Sequence, residues 1–197
     1  MRNVAVLFTL SAGFCVTAAA APCDNITERL RPMVGADQAV REGLPFPPTP
    51  KAMERMEIVD RANTLEVRRI LKYCGWPRSS RQGKEASNLM WLLVQHADRD
   101  HSFQKVALHA MSRAVDEGEA SARDLAYLSD RINTAEGRPQ LYGTQLKMEK
   151  CGVLEFFKMD RREDVEKRRA KIGLPPLEEY EKFVRQQMGP AECSAQK

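Results

Sequence analysis

The stretch Asn88–His101, which reads NLMWLLVQHADRDH, constrains the fold more than any other part of the chain. Its first half, Leu89–Val94, would be apolar on every side of a helix, and such a helix belongs in the centre of a domain. The stretch then continues into Gln95 and His96, two polar side chains that are costly to bury without partners. The sequence therefore predicts a buried central helix with a polar site at its carboxyl end.

The first twenty residues have the pattern of a secretory signal peptide. Arg2 supplies an early positive charge, an apolar run follows, and Ala18, Ala19 and Ala20 form a small-residue cleavage site. The apolar run is shorter than the roughly 20 residues that a spanning helix needs, and no later segment is apolar enough to span. We therefore expect an exported protein, periplasmic or extracellular, without a transmembrane segment.

Charge and length point to one ordinary globular domain. The formal net charge of the chain is +4, with acidic and basic residues interspersed, so there is no basic block typical of a nucleic-acid-binding protein. The remainder of the chain is long enough for one sizeable core. The expected segments are a signal peptide (1–20), an N-terminal helix with a proline-rich strap (21–50), a helical domain with a β-hairpin (51–190) and a tail (191–197).

Apolar periodicity and capping residues predict a mainly α-helical bundle of about six helices around the central helix. The predicted helices cover about 24–41, 51–73, 84–97, 101–117, 121–136, 162–172 and 177–188. In the second, Asp60 and Asn63 are expected to bend or break the helix, because their side chains compete for backbone partners. In the fourth, Asp100 is the expected cap and His109 is expected to face solvent. Its predicted inward stripe comprises Phe103, Val106, Ala107, Ala110, Met111 and Ala114.

After Pro139 the apolar pattern changes from helical to extended. Leu141–Met148 and Val153–Lys158 are short runs that flank a turn at Glu149–Gly152. This arrangement predicts a small β-hairpin near 141–158, which is an addition to the helical body and not a sheet that could carry the fold.

Four cysteines remain once Cys15 is removed with the signal peptide: Cys23, Cys74, Cys151 and Cys193. Four cysteines in an exported chain favour two disulfides. If the first two helices form an antiparallel hairpin, Cys23 lies near Cys74, which leaves Cys151 to pair with Cys193. The rival arrangement pairs Cys23 with Cys193 and Cys74 with Cys151. No cysteine has a partner at the short spacing typical of metal sites.

His96 is the first candidate for chemistry. It shares a helix face with Leu89, Leu92 and Leu93, where a neutral imidazole needs a hydrogen-bond partner on each side. Either His96 is a satisfied core histidine that only fixes packing, or it is a general acid or base at the floor of a cleft. Metal binding is the weaker interpretation, since His101 is five residues away beyond a helix break. We therefore predict no metal site and no cofactor.

A second group of polar residues follows the next helix: Arg131, Arg138, Gln140, Tyr142 and Gln145. Gln140 and Tyr142 would share one strand face, and Gly143 indicates a close approach of backbone to another segment or a ligand. The group is a suitable donor set for an anionic or carbohydrate-like ligand. It would serve equally well as a hydrogen-bonded contact between the hairpin and the helical body.

Several short motifs together resemble a bacterial family of unknown function: Gly75-Trp76-Pro77, Gln95-His96-Ala97-Asp98, Tyr127-Leu128-Ser129-Asp130-Arg131, Gly137-Arg138-Pro139-Gln140, Tyr142-Gly143-Thr144-Gln145 and Gly173-Leu174-Pro175-Pro176-Leu177. They span about Asp60 to Tyr180. The resemblance implies no known reaction. It does imply that Gln95, His96, Arg131, Gln140, Tyr142 and Gln145 belong to the family's motifs.

These observations lead to two functional hypotheses. In the first, His96 and Gln95 meet Arg131, Gln140, Tyr142 and Gln145 in one pocket. His96 would transfer protons, Arg131 and Tyr142 would stabilise negative charge, and a polar envelope or extracellular component would be hydrolysed. In the second, the protein is a non-catalytic binding or scaffold module, and the same side chains form a structural hydrogen-bond network.

Overall fold

The computed structural model describes residues 23–44, 48–148 and 153–188. The expected signal peptide, the centre of the proline-rich strap, the hairpin turn and the tail lie outside these residues. The predicted Cys151–Cys193 disulfide lies outside them as well. No helix in the described ranges is long and apolar enough to cross a membrane.

The described part of the chain is mainly α-helical with one small hairpin, as the sequence predicts. It is 68% helical and contains seven helices, one for each of the seven helical ranges that the sequence predicts. The elements in chain order are α1 (Ile26–Ala39), α2 (Pro50–Cys74), α3 (Ser79–Gln95), α4 (His101–Asp116), α5 (Ala122–Ala135), β1 (Leu146–Met148), β2 (Leu154–Phe156), α6 (Arg162–Lys171) and α7 (Leu177–Met188).

The central helix is α3, which contacts α1, α2, α4 and α5. Met90, Leu93 and Val94 are buried in the main hydrophobic cluster, to which α1, α2, α4 and α5 also contribute. The helix is kinked at Gly83, so its regular part starts at Lys84, where the sequence predicts its start. Trp76 covers this core and donates from Nε1 to Ser87 Oγ at 2.8 Å.

A disulfide joins the two ends of the hairpin that α1 and α2 form. Cys23 and Cys74 are bonded, with their Cα atoms 5.6 Å apart. This pairing is one of the two predicted from the sequence, and it excludes the rival in which each of these cysteines pairs with a C-terminal one.

The predicted cap of α4 is confirmed, and α5 is also capped by a side chain. Asp100 accepts a hydrogen bond from Phe103 N at 3.0 Å, and Ser121 Oγ accepts one from Asp124 N at 3.1 Å. His109 is exposed, as expected. The predicted inward stripe of α4 is wrong at one position, since the Val106 side chain is 60% exposed.

Helix α2 differs from the expectation of a break. It continues without interruption for 25 residues, because both polar residues have partners outside their own turn. Asp60 pairs with Arg41 on the segment after α1, and Asn63 Nδ2 donates to Met33 O of α1 at 3.4 Å. The buried positions of α2 include Val67, Ile70 and Leu71, whereas Met53 and Leu65 are exposed.

The β-hairpin is short and antiparallel. Leu146 lies opposite Phe156 and Met148 lies opposite Leu154. The segment that leads into β1 is held against α6 by the buried Arg169, whose Nη1 donates to Tyr142 O at 2.7 Å. The hairpin is therefore attached to the C-terminal helices, as an addition to the helical body.

Candidate functional site

His96 lies at the carboxyl end of α3 and is bound to a buried aspartate of α1. Its Nδ1 is 2.8 and 2.9 Å from the two carboxylate oxygens of Asp37. Asp37 is fully buried, whereas the His96 side chain is 20% exposed. Because Asp37 accepts the proton on Nδ1, the basic lone pair resides on Nε2. No described residue makes a hydrogen bond to His96 Nε2.

Asp37 belongs to a network of hydrogen-bonded charged and polar side chains. Arg41 donates from Nη1 to Asp37 Oδ1 at 2.8 Å and from Nη2 to Asp60 Oδ1 at 2.6 Å. Gln38 Nε2 donates to the second oxygen of Asp37 at 2.7 Å. This network therefore links α1, α2 and α3 around His96.

The pKa values of Asp37 and Asp60 are shifted in opposite directions. Burial alone would raise the pKa of Asp37, but the hydrogen bonds from His96 and Gln38 and the charge of Arg41 lower it below the ordinary value. Burial raises the pKa of Asp60, and Arg41 offsets this only in part. The carboxylate that faces the imidazole is thus the one that is firmly ionised, as an orienting partner of a general base must be.

A cleft of about 650 Å³ opens beside His96. One wall is a face of α2 between Met53 and Arg68, and the other is the segment His96–Asp100 with Arg131 from α5. The volume lies in the range of small-molecule sites, about 300–1,000 Å³. Among the described lining residues, Thr64 alone carries a hydroxyl, which donates to Asp60 O at 2.7 Å within its own helix.

Arg131 and Asp98 form a bidentate ion pair on the second wall. Arg131 Nε donates to Asp98 Oδ1 at 2.7 Å and Nη2 donates to Oδ2 at 2.5 Å. Burial would raise the pKa of Asp98, but Arg131 and Gln104 lower it below the ordinary value. The Arg131 side chain remains 30% exposed, and its Nη1 makes no hydrogen bond to a described residue.

The structure brings together a set of possible metal ligands that the sequence analysis did not find. Asp37, Asp60 and His96 each offer one ligand atom, and these atoms lie within 4.8 Å of one another. Carboxylates and imidazole are suitable ligands for several divalent metals. However, the guanidinium of Arg41 bonds to both carboxylates, so a metal ion would have to displace it. The residues present are better matched to an internal arginine than to a metal.

Gln95 points away from the cleft. Its side chain is buried, and with its amide oxygen turned toward α5 it accepts hydrogen bonds from Trp91 Nε1 at 2.9 Å and Leu128 N at 3.0 Å. Gln95 therefore joins α3 to α5 and does not line the site that contains His96.

The second predicted group does not line the cleft either, apart from Arg131. Gln140 is buried and donates to the carbonyl oxygens of Gln145 and Phe157, each at 3.0 Å. Gln145 Nε2 donates to Thr144 Oγ1 at 3.1 Å. The Gln140 side chain therefore connects the two sides of the hairpin at its base, whereas the Gln145 side chain bonds to its own neighbour.

Asp130 organises the backbone around Tyr142. Its carboxylate is buried and accepts from Leu141 N at 2.7 Å and Thr144 N at 3.0 Å, with further bonds from Tyr142 N. Burial raises the pKa of Asp130, and these backbone donors counteract the shift. Gly143 lies in the same turn, and its predicted close approach is to Leu177 of α7. Tyr142 therefore belongs to a structural turn, separate from the cleft.

The remaining candidates lie on the surface. Arg138 is more than half exposed and pairs with Glu136. His101 is exposed, with Nδ1 3.1 Å from Gln104 Oε1. Neither residue lines the cleft beside His96.

Asp37, Arg41 and Asp60 are the site residues that the sequence analysis missed. Asp37 is 59 residues from His96 and lies in a polar stretch, Gly35–Gln38, that reads as an ordinary helix surface. The sequence indicates Asp60 only as a possible helix breaker. An acidic residue inside an otherwise strong helix is the one feature of the sequence that could have pointed to this part of the site.

No curated protein and no solved structure matches the chain. A match to a protein family covers residues 24–191, which includes every element described above. The chain belongs to DUF6624, a family of unknown function.

Proposed function

We propose that the protein is an exported hydrolase in which His96 is the general base, acting on an envelope or extracellular component. The observation that carries the proposal is the Asp37–His96 pair. A buried, ionised carboxylate fixes the proton on Nδ1, and Nε2 has no hydrogen-bond partner among the described residues beside a cleft of ligand size.

The reaction starts from a water molecule, because the only hydroxyl that the described residues contribute to the lining, that of Thr64, is engaged within its own helix. His96 Nε2 takes a proton from this water while the water oxygen attacks the electrophilic centre of the substrate. Asp37 stabilises the imidazolium that forms, and His96 then returns the proton to the leaving group. The free Nη1 of Arg131 is the donor for the developing negative charge.

A panel of chromogenic carboxylic ester, phosphate ester and glycoside substrates tests this proposal. We expect turnover of at least one class by the purified mature chain. His96→Gln should reduce kcat by about 100-fold or more, the lower end of the usual contribution of general base catalysis. His109→Gln is the matched control, because His109 is exposed on α4 outside the cleft, and it should leave the rate unchanged.

Circular dichroism and thermal unfolding of each variant separate loss of chemistry from loss of folding. Full activity of a folded His96→Gln variant would contradict the proposal, as would absence of turnover across the panel.

The alternative function is a non-catalytic binding or scaffold module. It is favoured by the hairpin cluster, where Gln140, Gln145 and Asp130 direct their hydrogen bonds to the protein itself. Under this alternative His96 joins α1 to α3 and nothing more. His96→Gln should then lower the unfolding temperature as much as Asp37→Asn does, with no change in any catalysed rate.

A further inference from the structure

The wall of the cleft formed by α2 is a continuous helix face. Its members recur at three- and four-residue spacing, from Met53 and Met56 through Asp60 and Thr64 to Arg68. Residues at this spacing lie above one another on one side of a helix. At about 1.5 Å per residue, the face from position 53 to position 65 is about 18 Å long. It is long enough to receive an extended chain molecule.

The apolar members of this face are Met53, Met56 and Leu65. Met53 is 54% exposed and Leu65 is 56% exposed, although both lie in a concave region. Concave exposed apolar surface is characteristic of a ligand site, and methionine side chains adapt to irregular apolar partners. Met56 and Met53 lie one and two turns from Asp60, toward the start of α2.

Among the described residues that line the cleft, one arginine has no acidic partner. Arg41, Arg99 and Arg131 pair with Asp60, Glu57 and Asp98, with N–O distances of 2.6, 2.7 and 2.5 Å. Arg68 pairs with Asp100. Arg61 is exposed, lines the cleft and makes no ion pair with any described residue. It therefore provides the charge to which a negatively charged ligand group would bind.

We propose that the cleft binds a single-chain anionic amphiphile, with the chain along Met56 and Met53 and the anionic head at Arg61. Its carboxylic ester or amide bond would lie beside His96, and in this respect the inference rests on the proposed function. The occupant is a single molecule and not a bilayer surface. The site is a concave volume of about 650 Å³ between α2 and the segment His96–Asp100, which one chain can fill and the surface of a bilayer cannot enter.

Binding of 11-(dansylamino)undecanoic acid, a fluorescent fatty acid, tests the inference without any catalysed reaction. We expect saturable binding of one molecule per chain. Met53→Glu and Arg61→Glu should each weaken binding about ten-fold or more. The first removes an apolar contact with the chain, and the second removes the positive charge that binds the anionic head. The mature protein should not bind anionic phospholipid vesicles in a sedimentation assay.

Matched controls are available on the same helix. Ile58 is 63% exposed and Arg55 is exposed, and neither lines the cleft. Ile58→Glu and Arg55→Glu should bind the probe as the unmodified protein does. Equal weakening by Ile58→Glu and Met53→Glu would overturn the inference. So would failure of the probe to bind, or stronger binding to vesicles than to the monomeric probe.

Analytical ultracentrifugation covers the remaining occupant, a second copy of the chain. A dimer that Met53→Glu dissociates and Ile58→Glu does not would assign the face to self-association and overturn the inference.

The inference and the proposed function can fail separately. His96→Gln should retain probe binding, because the head and chain contacts are intact. If this variant also hydrolysed substrate at the full rate, the catalytic role of His96 would be lost while the amphiphile site remained. If short and long acyl esters were hydrolysed equally well and Met53→Glu had no effect, the amphiphile site would be lost while the catalytic role remained.

Discussion

Asp37 is the residue on which the candidate site depends most, because it holds His96, Arg41 and Gln38 at once. Replacing Asp37 with asparagine keeps the shape and removes the charge. We expect this variant to lose about 2–3 kcal/mol of unfolding free energy at neutral pH, since it leaves a partly buried arginine with less compensation.

The loss should depend on pH in a defined direction. The folded-state pKa of Asp37 is lowered, so its carboxylate stabilises the protein above the ordinary aspartate pKa of about 3.9. That stabilisation is lost as the pH falls through the lowered value. In urea unfolding, the gap between the two proteins should be present from pH 5 upward and shrink below about pH 4. Asp116→Asn, at an exposed position, is the control. A gap independent of pH would show that the charge of Asp37 is not responsible.

Gly143 supports a second residue-scale prediction. It has a φ of 63°, and a Cβ atom there would lie 2.6 Å from the Leu177 side chain, which is buried. Gly143→Ala should cost about 2–4 kcal/mol, from the backbone conformation and the overlap together.

Gly118→Ala isolates the backbone contribution. Gly118 has a φ of 73° with no atom near the added Cβ, so this variant should cost only about 1–2 kcal/mol. Thermal unfolding of both variants gives the difference. Equal costs would mean that Leu177 moves aside freely.

The sequence could identify His96 but not its partner. A histidine at the end of the apolar run Leu89–Val94 is conspicuous in one dimension. Its pairing with Asp37 depends on how α1 lies against α3, and no local pattern encodes that packing. For the same reason the sequence placed Tyr142 beside His96, whereas Asp130 holds the Tyr142 backbone in a separate turn.

At the scale of elements, the α1–α2 hairpin is closed by the Cys23–Cys74 disulfide. The bond joins residues separated by 51 positions, and a closed loop of this size removes about 4 kcal/mol of chain entropy from the unfolded state. We expect the Cys23→Ser/Cys74→Ser variant to lose about 2–4 kcal/mol of unfolding free energy.

Urea unfolding of the double variant measures this loss. Cys151→Ser/Cys193→Ser is the comparison, because it keeps the described disulfide. A reducing agent should lower the urea midpoint of the comparison variant and leave that of Cys23→Ser/Cys74→Ser where it is. If Cys23→Ser/Cys74→Ser had the same midpoint as the unmodified protein, packing of α1 alone would hold the hairpin.

Capping residues predict well where helices begin. The spacing of apolar residues predicts less well which face of a helix is buried. Asp100 and Ser121 are local signals in the sequence, and both side chains cap their helices. Met53 and Leu65 have the spacing of a core stripe and yet are exposed in the cleft. Spacing reveals that residues share a face, but the neighbour of that face is decided by the packing of the other helices.

At the scale of the whole molecule, export is the prediction with the widest consequences. An oxidising compartment would allow the Cys23–Cys74 bond to form and persist. Expressed from its own first residue in a bacterial host, the chain should be cleaved after Ala20 and recovered outside the cytoplasm. Intact mass and N-terminal sequencing should give a chain that starts at Ala21. A full-length chain in the cytosolic fraction would contradict export.

The helical body as a whole was predictable, because the all-round apolar character of α3 requires other helices to cover it. The cleft was not, since it results from surface that the helices leave uncovered. The division into an N-terminal segment (21–50) and a helical segment (51–190) stays a prediction. Helix α1 packs on α3 and supplies Asp37 to the site.

The disulfide has one more consequence, for a chain that has been cut. Cys23 and Cys74 lie on opposite sides of residues 45–47, so hydrolysis of a peptide bond there yields two fragments that are still one covalent molecule. Such a nicked protein would migrate as a single species until thiols are added. Only then would the fragment that bears Asp37 be free to diffuse away from the one that bears His96.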